Sequence, residues 1–448
     1  MIVSLGLGAI NCGALVSLCG AIVPDEIVNV RPCRLVTDSR EIVEGDLFCA
    51  LKGLEDGHKY AAEAEKRGAI AVLAERKTDA RLPHIIVPSV RKALGDWAIG
   101  VTEDDALLRI GITGSVGKTT VKDAIASMLA PHFSVHATYG NFNNDLGLPF
   151  TLLSAPGNTE IAVCELGVNH KGEMRELSRI LRPHISVITC IGHAHIGAFG
   201  TREAIAAEKL DILAYAKENG AVFVPEGEAL LSCIPPRGIR RISTLPFGEK
   251  EYTAHGLSYP FEDTARSFAL GYAAKVGEHL SLSEKAIHAG LERILSLETH
   301  RHESVLGGFH FIDDGYNASP ESMLGALRYL ASQSGKRRVA VLGDMLELGE
   351  QSSSYHRAIG RFAARHAERL FFFGAYAKDY EAGARAEGMR RIQDPRDNLN
   401  GFSVIKGDRE TLAAQILSAL QEGDVILFKA SRALQVEKII DHIKKQIS

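Results

Sequence analysis

The sequence predicts an α/β protein of three domains, and three observations support this prediction. A chain of 448 residues is long enough for about three domains of ordinary size. Short apolar runs typical of strands alternate with helical segments, which favours mostly parallel sheets covered by helices on both faces. A glycine-rich phosphate loop lies between one of the central strands and a helix. We place the domains at residues 1–100, 101–302 and 303–448.

Composition and charge narrow the class of protein. Hydrophobic residues make up 46% and charged residues 24%, the balance of an ordinary globular protein. The net charge of −4 gives no electrostatic reason to expect a nucleic acid partner. The seven cysteines are scattered, odd in number and without a Cys-x-x-Cys pair. This pattern predicts free thiols in a reducing compartment, so we expect a cytoplasmic protein.

The first 23 residues carry no charged side chain and are long enough to be a membrane-span candidate. No basic region precedes them, and the first Arg or Lys is Arg31. The stretch is also rich in glycine and contains scattered polar residues. We therefore favour a buried strand and helix over a signal or anchor segment, with no stable membrane insertion.

The predicted elements follow this division. In the first domain, short strands are expected at 69–73 and 84–88. In the second, the predicted strands are Arg109–Thr113, Ile161–Glu165 and Ile185–Ile191, and the predicted helices are Lys118–Leu129, Thr201–Ala216 and Thr264–Val276. In the third, Ser319 and Pro320 are typical of a helix start ahead of Glu321–Leu330. The strands predicted there are Phe309–Asp313, Val339–Leu342, Leu370–Phe373 and Val425–Phe428.

The segment Gly114-Ser-Val-Gly-Lys-Thr-Thr120 has the context of a phosphate loop, because an apolar strand precedes it and a helix follows. Its glycines let the backbone approach phosphate, and the helix N-terminus supplies positive potential. Lys118 is expected to reach the β- and γ-phosphates, and the Thr119 hydroxyl to bind Mg²⁺. The predicted nucleotide-binding residues are Gly114, Ser115, Val116, Gly117, Lys118, Thr119 and Thr120. The spacing is shorter than that of the common phosphate loop, and a chance Gly-Lys-Thr is the alternative.

Two further strand ends carry polar side chains. Glu165 ends a strand at the sheet edge where open α/β folds bind ligands, so it suits Mg²⁺, although a capping or surface glutamate is the alternative. His193 and His195 follow the next strand. They fit metal ligands and hydrogen-bonded loop residues equally well.

The shortened motif Thr113-Gly-x-x-Gly-Lys-Thr-Thr120 resembles that of the superfamily of Mur ligases and folylpolyglutamate synthetases. In the first domain, four short motifs look like the UDP-binding domain of Mur ligases: Thr37–Arg40, Gly45–Phe48, Ala50–Gly53 and Asp56–His58. Four others are similar to segments of the Mur ligases that add D-alanyl-D-alanine: Thr138–Pro149, Glu165–His170, Asp313–Met323 and Val341–Gly349.

This resemblance implies a reaction and a set of site residues. ATP would phosphorylate the terminal carboxylate of UDP-N-acetylmuramoyl-tripeptide, and the amine of D-alanyl-D-alanine would attack the acyl phosphate. Two Mg²⁺ sites are implied, with Thr119, Glu165, His195 and a carbamylated Lys209 as ligands. Lys118, Lys209 and His195 would be catalytic. Further contacts are implied to ATP by Arg301 and Asp314, and to the substrates by Ser39, Arg40, Asn143, Asn144, Tyr316 and Asn317.

The chain departs from the family pattern at three segments. Glu262–Phe268 lacks the two asparagines of the family, one of which helps to hold adenine. Lys429-Ala-Ser-Arg432 and Ile196-Gly-Ala-Phe-Gly200 each differ from the usual motif. We expect a monomer. Two alternatives are a related amide ligase for another acid, in cofactor or polymer biosynthesis, and a non-catalytic nucleotide-binding subunit.

Overall fold

The computed structural model describes residues 1–103, 106–232, 238–244, 251–254, 257–260, 264–296 and 302–447. Three sheets follow one another along the chain, each with its own helices. The predicted three-domain α/β architecture is confirmed, and the residue boundaries of the domains stay predictions. Within this part of the chain, every helix is too short or too polar to span a bilayer.

The first sheet has five strands in chain order, and they are parallel except that the first runs antiparallel to the second. Its strands are β1 (Ile2–Ser4), β2 (Arg34–Val36), β3 (Leu47–Cys49), β4 (Ala71–Ala74) and β5 (His84–Ile86). Its helices are α1 (Ala14–Cys19), α2 (Ala61–Lys66) and α3 (Val90–Val101). The N-terminal segment thus forms the predicted strand and helix, but the prediction that they are buried was wrong, because Ile2 and Ser4 are exposed and Leu15 is the single buried residue of α1. It also contacts the second domain, because the N–H groups of Gly6 and Gly8 both donate to the Leu153 carbonyl at 3.0 Å.

The second sheet is entirely parallel and carries the phosphate loop. Its strands are β6 (Leu108–Thr113), β7 (Val135–Ala137), β8 (Ile161–Glu165), β9 (Ile185–Ile188), β10 (Ala221–Pro225) and β11 (Arg240–Thr244). Their order is β11-β10-β9-β6-β8-β7. The chain therefore places β7 and β8 on one side of β6 and then β9, β10 and β11 on the other. Such a switch point opens a crevice at the carboxyl ends of the strands. The loop, Glu165 and the two histidines all follow these ends.

Seven helices and a hairpin complete this domain among the described residues. The helices are α4 (Lys118–Leu129), α5 (Gly147–Ser154), α6 (Glu173–Leu181), α7 (Ile196–Phe199), α8 (Arg202–Leu210), α9 (Thr264–His279) and α10 (Glu284–Leu295). The hairpin consists of β12 (Glu251–Ala254) and β13 (Leu257–Pro260). The helix predicted at 201–216 is α8, which ends at Leu210 and continues only as a 3₁₀ turn at Asp211–Leu213.

The third sheet is parallel except for its first strand, which is antiparallel to the second. Its strands are β14 (His302–Leu306), β15 (Phe309–Asp313), β16 (Arg337–Leu342), β17 (Arg369–Phe372), β18 (Gly401–Val404) and β19 (Asp424–Lys429), in the order β14-β15-β19-β16-β17-β18. Its helices are α11 (Pro320–Ser332), α12 (Ser352–Ala364), α13 (Ala377–Ala386), α14 (Arg409–Leu417) and α15 (Glu437–Ile447). The predicted helix start holds, because Ser319 caps α11 and Pro320 is its first residue.

The apolar cores join these domains as well as filling them. One cluster of buried residues includes Leu35 of the first sheet, Cys164 of the second and Ala340 of the third. A second cluster lies between the central strand β6 and helices α4, α9 and α10. Burial of apolar surface is the main stabilising contribution to folding. Helix α4, which follows the phosphate loop, is therefore packed against the sheet through buried apolar side chains.

Candidate active site

The two glycines of the phosphate loop have backbone conformations that residues with a side chain rarely adopt. Gly114 has a φ of +148°, and a Cβ built on it would lie 1.8 Å from the hydroxyl oxygen of Thr189. Gly117 has a φ of +80° and precedes the first residue of α4. Both positive φ values strain residues that have a side chain. The glycine spacing of the motif is thus explained by the turn that joins β6 to α4.

Lys118 begins α4 and folds back over the loop. Its Nζ donates to the Gly114 carbonyl at 2.9 Å, so the ammonium group stays next to the loop backbone. The N-terminus of α4, a helix of 12 residues, points to the same place. A helix N-terminus and a lysine together make a site for an anion. This geometry suits the β- and γ-phosphates of a nucleotide.

Glu165 lies at the centre of a hydrogen-bonded group beside the loop. One of its carboxylate oxygens accepts from the Thr119 hydroxyl at 2.8 Å, and the other from the Asn143 side-chain amide at 2.8 Å. Its backbone N–H donates to the Thr138 hydroxyl at 3.0 Å. Asn144 has a different task, because its side chain accepts from the first backbone N–H groups near the start of α5. Only one of the two neighbouring asparagines therefore touches the site.

The segment Thr189–Gly200, which we call the β9 loop, is hydrogen-bonded to the phosphate loop. The Ser115 N–H donates to the Cys190 carbonyl at 3.0 Å, and the Thr189 hydroxyl donates to the Val116 carbonyl at 2.6 Å. These bonds take residues 189–191 out of the sheet. They explain why β9 ends at Ile188 and not at Ile191, where the prediction was wrong. The buried Tyr272 hydroxyl secures the turn by donating to the Ile188 carbonyl at 2.7 Å.

The two histidines of the β9 loop both pair with carboxylates of the third domain. His193 Nδ1 lies 2.6 Å from Glu321 Oε1, and His195 Nδ1 lies 2.6 Å from Glu347 Oε2. The hydrogen bond from His195 lowers the pKa of Glu347. His195 has a left-handed φ of 62° at the start of α7. The histidines thus contact side chains across a domain boundary and not the neighbouring backbone alone.

Lys209 is a buried lysine on α8. Only 4% of its surface is exposed. Burial, together with the positive charge of Lys118, lowers its pKa to about 7. Within the described residues, no hydrogen bond or ion pair to its Nζ is present. Such an amine is partly neutral near pH 7 and is therefore nucleophilic.

The described residues contain no group of three His, Cys, Asp or Glu side chains that could hold a metal ion. Mg²⁺ does not need such a group, since it keeps several waters and takes one or two carboxylates. The oxygen atoms of Thr119 and Glu165, 2.8 Å apart, have the donor chemistry that this ion prefers. The residues present therefore fit a magnesium site of few protein ligands.

The third domain contributes the loop after β15. Burial raises the pKa of the Tyr316 hydroxyl, and the negative charge of nearby Glu165 raises it further. The buried Lys429 holds this loop, because its Nζ lies 3.0 Å from the Asp314 carboxylate and donates to the Asn317 carbonyl at 3.0 Å. Arg301 and residues 262–263 lie outside the described residues, so the prediction for Arg301 has no structural counterpart, and α9 begins within the segment, at Thr264.

Ser39 and Arg40 lie in the first domain and are bonded locally. The Ser39 hydroxyl donates to Glu63 at 2.6 Å, and the exposed Arg40 forms a two-pronged pair with Asp38. This pair lowers the pKa of Asp38 to about 2. Within the described part of the chain, neither Ser39 nor Arg40 contacts the phosphate loop. The structure thus places Tyr316 of the third domain near Glu165 of the second but leaves these two residues of the first domain apart.

Sequence reasoning missed the residues that support the site. Thr138 and Glu347 lie inside motifs that were recognised, but no role was assigned to them. Glu321 likewise lies inside the recognised motif Asp313–Met323 without an assigned role, and Thr189 and Tyr272 carry no motif of their own. Their contacts span up to 128 residues, so no local pattern could have indicated them.

Three descriptions of protein families match the chain. They are the Mur ligase family, catalytic domain, at residues 34–101, the Mur ligase middle domain at residues 112–268, and the Mur ligase, glutamate ligase domain at residues 299–432. Together these matches extend over most of the three domains.

Individual relatives agree with this result. The UDP-N-acetylmuramoyl-tripeptide--D-alanyl-D-alanine ligase of Bacillus subtilis strain 168 is 32% identical over 441 residues, which cover 92% of this chain and 94% of that protein. A crystal structure of MurF from Acinetobacter baumannii superposes with a TM-score of 0.85 at 28% identity, covering 99% of this chain and 100% of that one. The MurF ligase from Thermotoga maritima in complex with ADP gives a TM-score of 0.78 at 27% identity, with 92% and 97% covered.

Proposed function

Because the chain belongs to the Mur ligase family, we propose that it is an ATP-dependent, ADP-forming ligase that adds D-alanyl-D-alanine to UDP-N-acetylmuramoyl-tripeptide in peptidoglycan precursor synthesis. The observation that carries this proposal is the contact of Thr119 with Glu165, 2.8 Å apart, at the mouth of the Lys118 loop. It supplies the phosphate and magnesium chemistry of an ATP-dependent ligase. The similarity to a D-alanyl-D-alanine ligase along 92% of the chain supports the choice of substrates.

The reaction has two steps. A carboxylate oxygen of the tripeptide attacks the γ-phosphorus of ATP, the bond from that phosphorus to the β-γ bridging oxygen breaks, and ADP leaves. The amine nitrogen of the dipeptide then attacks the carbonyl carbon of the acyl phosphate. The carbon–oxygen bond to phosphate breaks, phosphate leaves and the nitrogen loses a proton. Lys118 and the N-terminus of α4 offset the negative charge that is transferred, so catalysis consists of positioning and charge stabilisation.

Thr119 and Glu165 would hold one Mg²⁺, and His195 with a carbamylated Lys209 would hold a second. Bound Mg²⁺ would neutralise phosphate charge and orient the reacting groups. The pairing of His195 Nδ1 with Glu347 supports its role as a ligand, because metal-binding histidines usually donate their other ring N–H to a carboxylate. The burial of Lys209 supports the carbamate, since its neutral amine can add to CO₂ with release of one proton.

The substrates would lie across the three domains. Ser39 and Arg40 would bind the UDP group, and Arg301 and Asp314 would bind ATP. The remaining substrate-binding residues in this proposal are Asn143, Asn144, Tyr316 and Asn317. The contact of Asn143 with Glu165 supports its place near the reacting groups. We further propose a cytoplasmic monomer that has no nucleic acid partner.

A phosphate-release assay tests the proposal. The purified protein should release phosphate from ATP only when UDP-N-acetylmuramoyl-tripeptide and D-alanyl-D-alanine are both present. UDP-muramoyl compounds should also raise the melting temperature, because a ligand that binds only the folded state stabilises it. No phosphate release would overturn the proposal. The absence of a thermal shift would favour the alternative ligase for another acid.

Lys209→Ala separates a ligase from a non-catalytic nucleotide-binding subunit. The variant should lose phosphate release, and a small carboxylic acid should partly restore it by occupying the place of the carbamate. ADP binding that is unaffected by the substitution, in a protein that releases no phosphate at all, would favour the binding subunit.

A further inference from the structure

Glu321 of the third domain holds the β9 loop of the second domain at one point. Its Oε1 accepts from the His193 backbone N–H at 3.0 Å and lies 2.6 Å from Nδ1 of the same residue. Its Oε2 is buried and has no hydrogen-bond partner among the residues that the structure describes. A Cβ built on Gly192 would lie 2.6 Å from the Glu321 carboxyl carbon, so a larger residue there would push the carboxylate out of its present position. One carboxylate therefore fixes both the backbone and the ring of His193.

The third domain presents Glu321 in a defined orientation. Glu321 lies in the first turn of α11, where the helix dipole favours a negative charge. Ser319 and Ser322 form a reciprocal capping box that fixes this turn. The Tyr355 ring, from α12, packs against His193 with 5.0 Å between ring centroids. The β9 loop thus contacts a carboxylate whose orientation is fixed by the capped first turn of α11.

A second attachment lies four residues further along the loop. The Gly197 N–H donates to the Glu347 carbonyl at 2.9 Å. A Cβ on Gly197 would lie 2.7 Å from the Gly349 nitrogen. The two backbones are therefore in direct contact, and the β9 loop is held to the third domain at both points.

The other side of the β9 loop is bonded to the phosphate loop. The Gly192 N–H donates to the Ser115 hydroxyl oxygen at 2.8 Å, next to the bonds from Ser115 to Cys190 and from Thr189 to Val116. Gly192 therefore donates to the phosphate loop and also lies directly beside the Glu321 carboxylate. Because one residue makes both contacts, we expect a displacement of Glu321 to displace Ser115 as well.

We propose that Glu321 is a positioning residue of the ligase: through His193 and the β9 loop, it sets the phosphate loop when the third domain is docked. This inference rests on the proposed function, since it concerns the same phosphate site. Without Glu321, the nucleotide still binds to the loop, but the loop is no longer held in the arrangement needed for transfer. The expected defect is therefore in kcat and not in nucleotide affinity.

Hydrogen–deuterium exchange of the full-length protein tests the structural part. The variants are Glu321→Ala, Glu321→Gln, which retains an acceptor oxygen, and the control Glu410→Ala. Glu410 also lies in the first turn of a third-domain helix, but it is exposed. Glu321→Ala should speed exchange about tenfold in peptides covering 112–120 and 189–200, as expected when a hydrogen bond to a charged group is lost. The exchange rates of Glu321→Gln should lie between those of Glu321→Ala and the wild type, and those of the control Glu410→Ala should match the wild type. Unchanged exchange at 112–120 in Glu321→Ala would overturn the proposal.

Kinetics test the functional part. Glu321→Ala should lower kcat about tenfold or more while KM for ATP stays within about twofold. In a double-mutant cycle with His193→Ala, the double variant should be no worse than the worse single variant, because both changes break one link. Additive losses, or a kcat equal to that of Glu410→Ala, would overturn the proposal. A wild type that releases no phosphate would instead refute the proposed function, and the exchange experiment would still decide the role of Glu321.

Discussion

The phosphate loop and the predicted UDP-binding surface of the first domain differ in what their polar side chains are bonded to. Around the loop, buried hydroxyl groups of Thr189, Tyr272 and Thr138 bond to backbone groups of the site. On the first domain, exposed charges pair with one another, as Arg40 does with Asp38. The first arrangement is fixed by bonds within the protein, whereas a ligand that binds through Arg40 would have to displace Asp38.

This difference matches what each region has to do. Fixed dipoles and charges stabilise a reacting group most when they need not reorganise during the reaction. A surface pair in water contributes little to stability, so it is released at small cost. The substitutions below test whether the two regions differ in this way.

Lys118→Ala should have the largest effect. It removes the charge that we propose to offset that of the transferred phosphate, and loss of one such group typically lowers kcat by about 10²–10³. Phosphate release under saturating substrates measures this loss. Lys445→Ala, which removes an exposed lysine on α15, is the matched control and should keep full activity. A loss below tenfold in Lys118→Ala would contradict a preorganised phosphate site.

Tyr272→Phe and Tyr60→Phe compare the two regions directly, because each removes one hydroxyl. The Tyr272 hydroxyl is buried and donates to the Ile188 carbonyl, so its loss should lower the free energy of unfolding by about 1–2 kcal/mol. The Tyr60 hydroxyl is exposed and bonds to Glu55, so its loss should leave stability unchanged. Urea unfolding measures both. Equal changes in the two variants would remove the distinction between the regions.

Arg40→Ala should act on substrate recognition alone. If Arg40 leaves Asp38 to bind the UDP group, the variant should raise KM for the UDP substrate about tenfold with little change in kcat. Arg81→Ala, at an exposed position of the same domain, should leave both constants unchanged. A fall in kcat of similar size would mean that this surface also takes part in the chemical step.

The smallest effect concerns the pH dependence of the Asp38–Arg40 pair. Because the folded-state pKa of Asp38 is lowered to about 2, the pair stabilises the fold above the ordinary pKa of 3.8. This contribution is lost as the pH falls through 3.8 towards 2. NMR titration of the Asp38 carboxyl carbon should show the low pKa, and Arg40→Ala should return it towards 3.8. A wild-type pKa near 3.8 would show that the pair does not persist in solution.

The local parts of the site were predictable from the sequence. The strand before the phosphate loop, the helix Lys118–Leu129 and the position of Glu165 at a strand end all follow from short-range patterns, and the structure has them. Glycine spacing and apolar periodicity act within one turn or strand, so a single segment carries the information.

The parts that depend on tertiary contacts were not predictable. The end of β9 at Ile188 is set by bonds to the phosphate loop, about 75 residues earlier in the chain. Asn143 and Asn144 look alike in the sequence, but only Asn143 reaches Glu165. The partner of His193 lies 128 residues away. Because the sequence does not show such contacts, it could not decide whether the two histidines bind a metal or form hydrogen bonds within their loop.

The direct contact of Gly197 with Gly349 offers a steric route to an undocked form of the protein. Gly197 lies inside the short helix α7, where alanine is favoured over glycine by about 1 kcal/mol. Its added methyl group would nevertheless meet the backbone of the third domain at 2.7 Å, and backbone cannot rotate away as a side chain can. Gly197→Ala should therefore keep each domain folded while separating them. Small-angle scattering would detect the increase in the radius of gyration, and such a variant would let the undocked conformer be crystallised without any ligand.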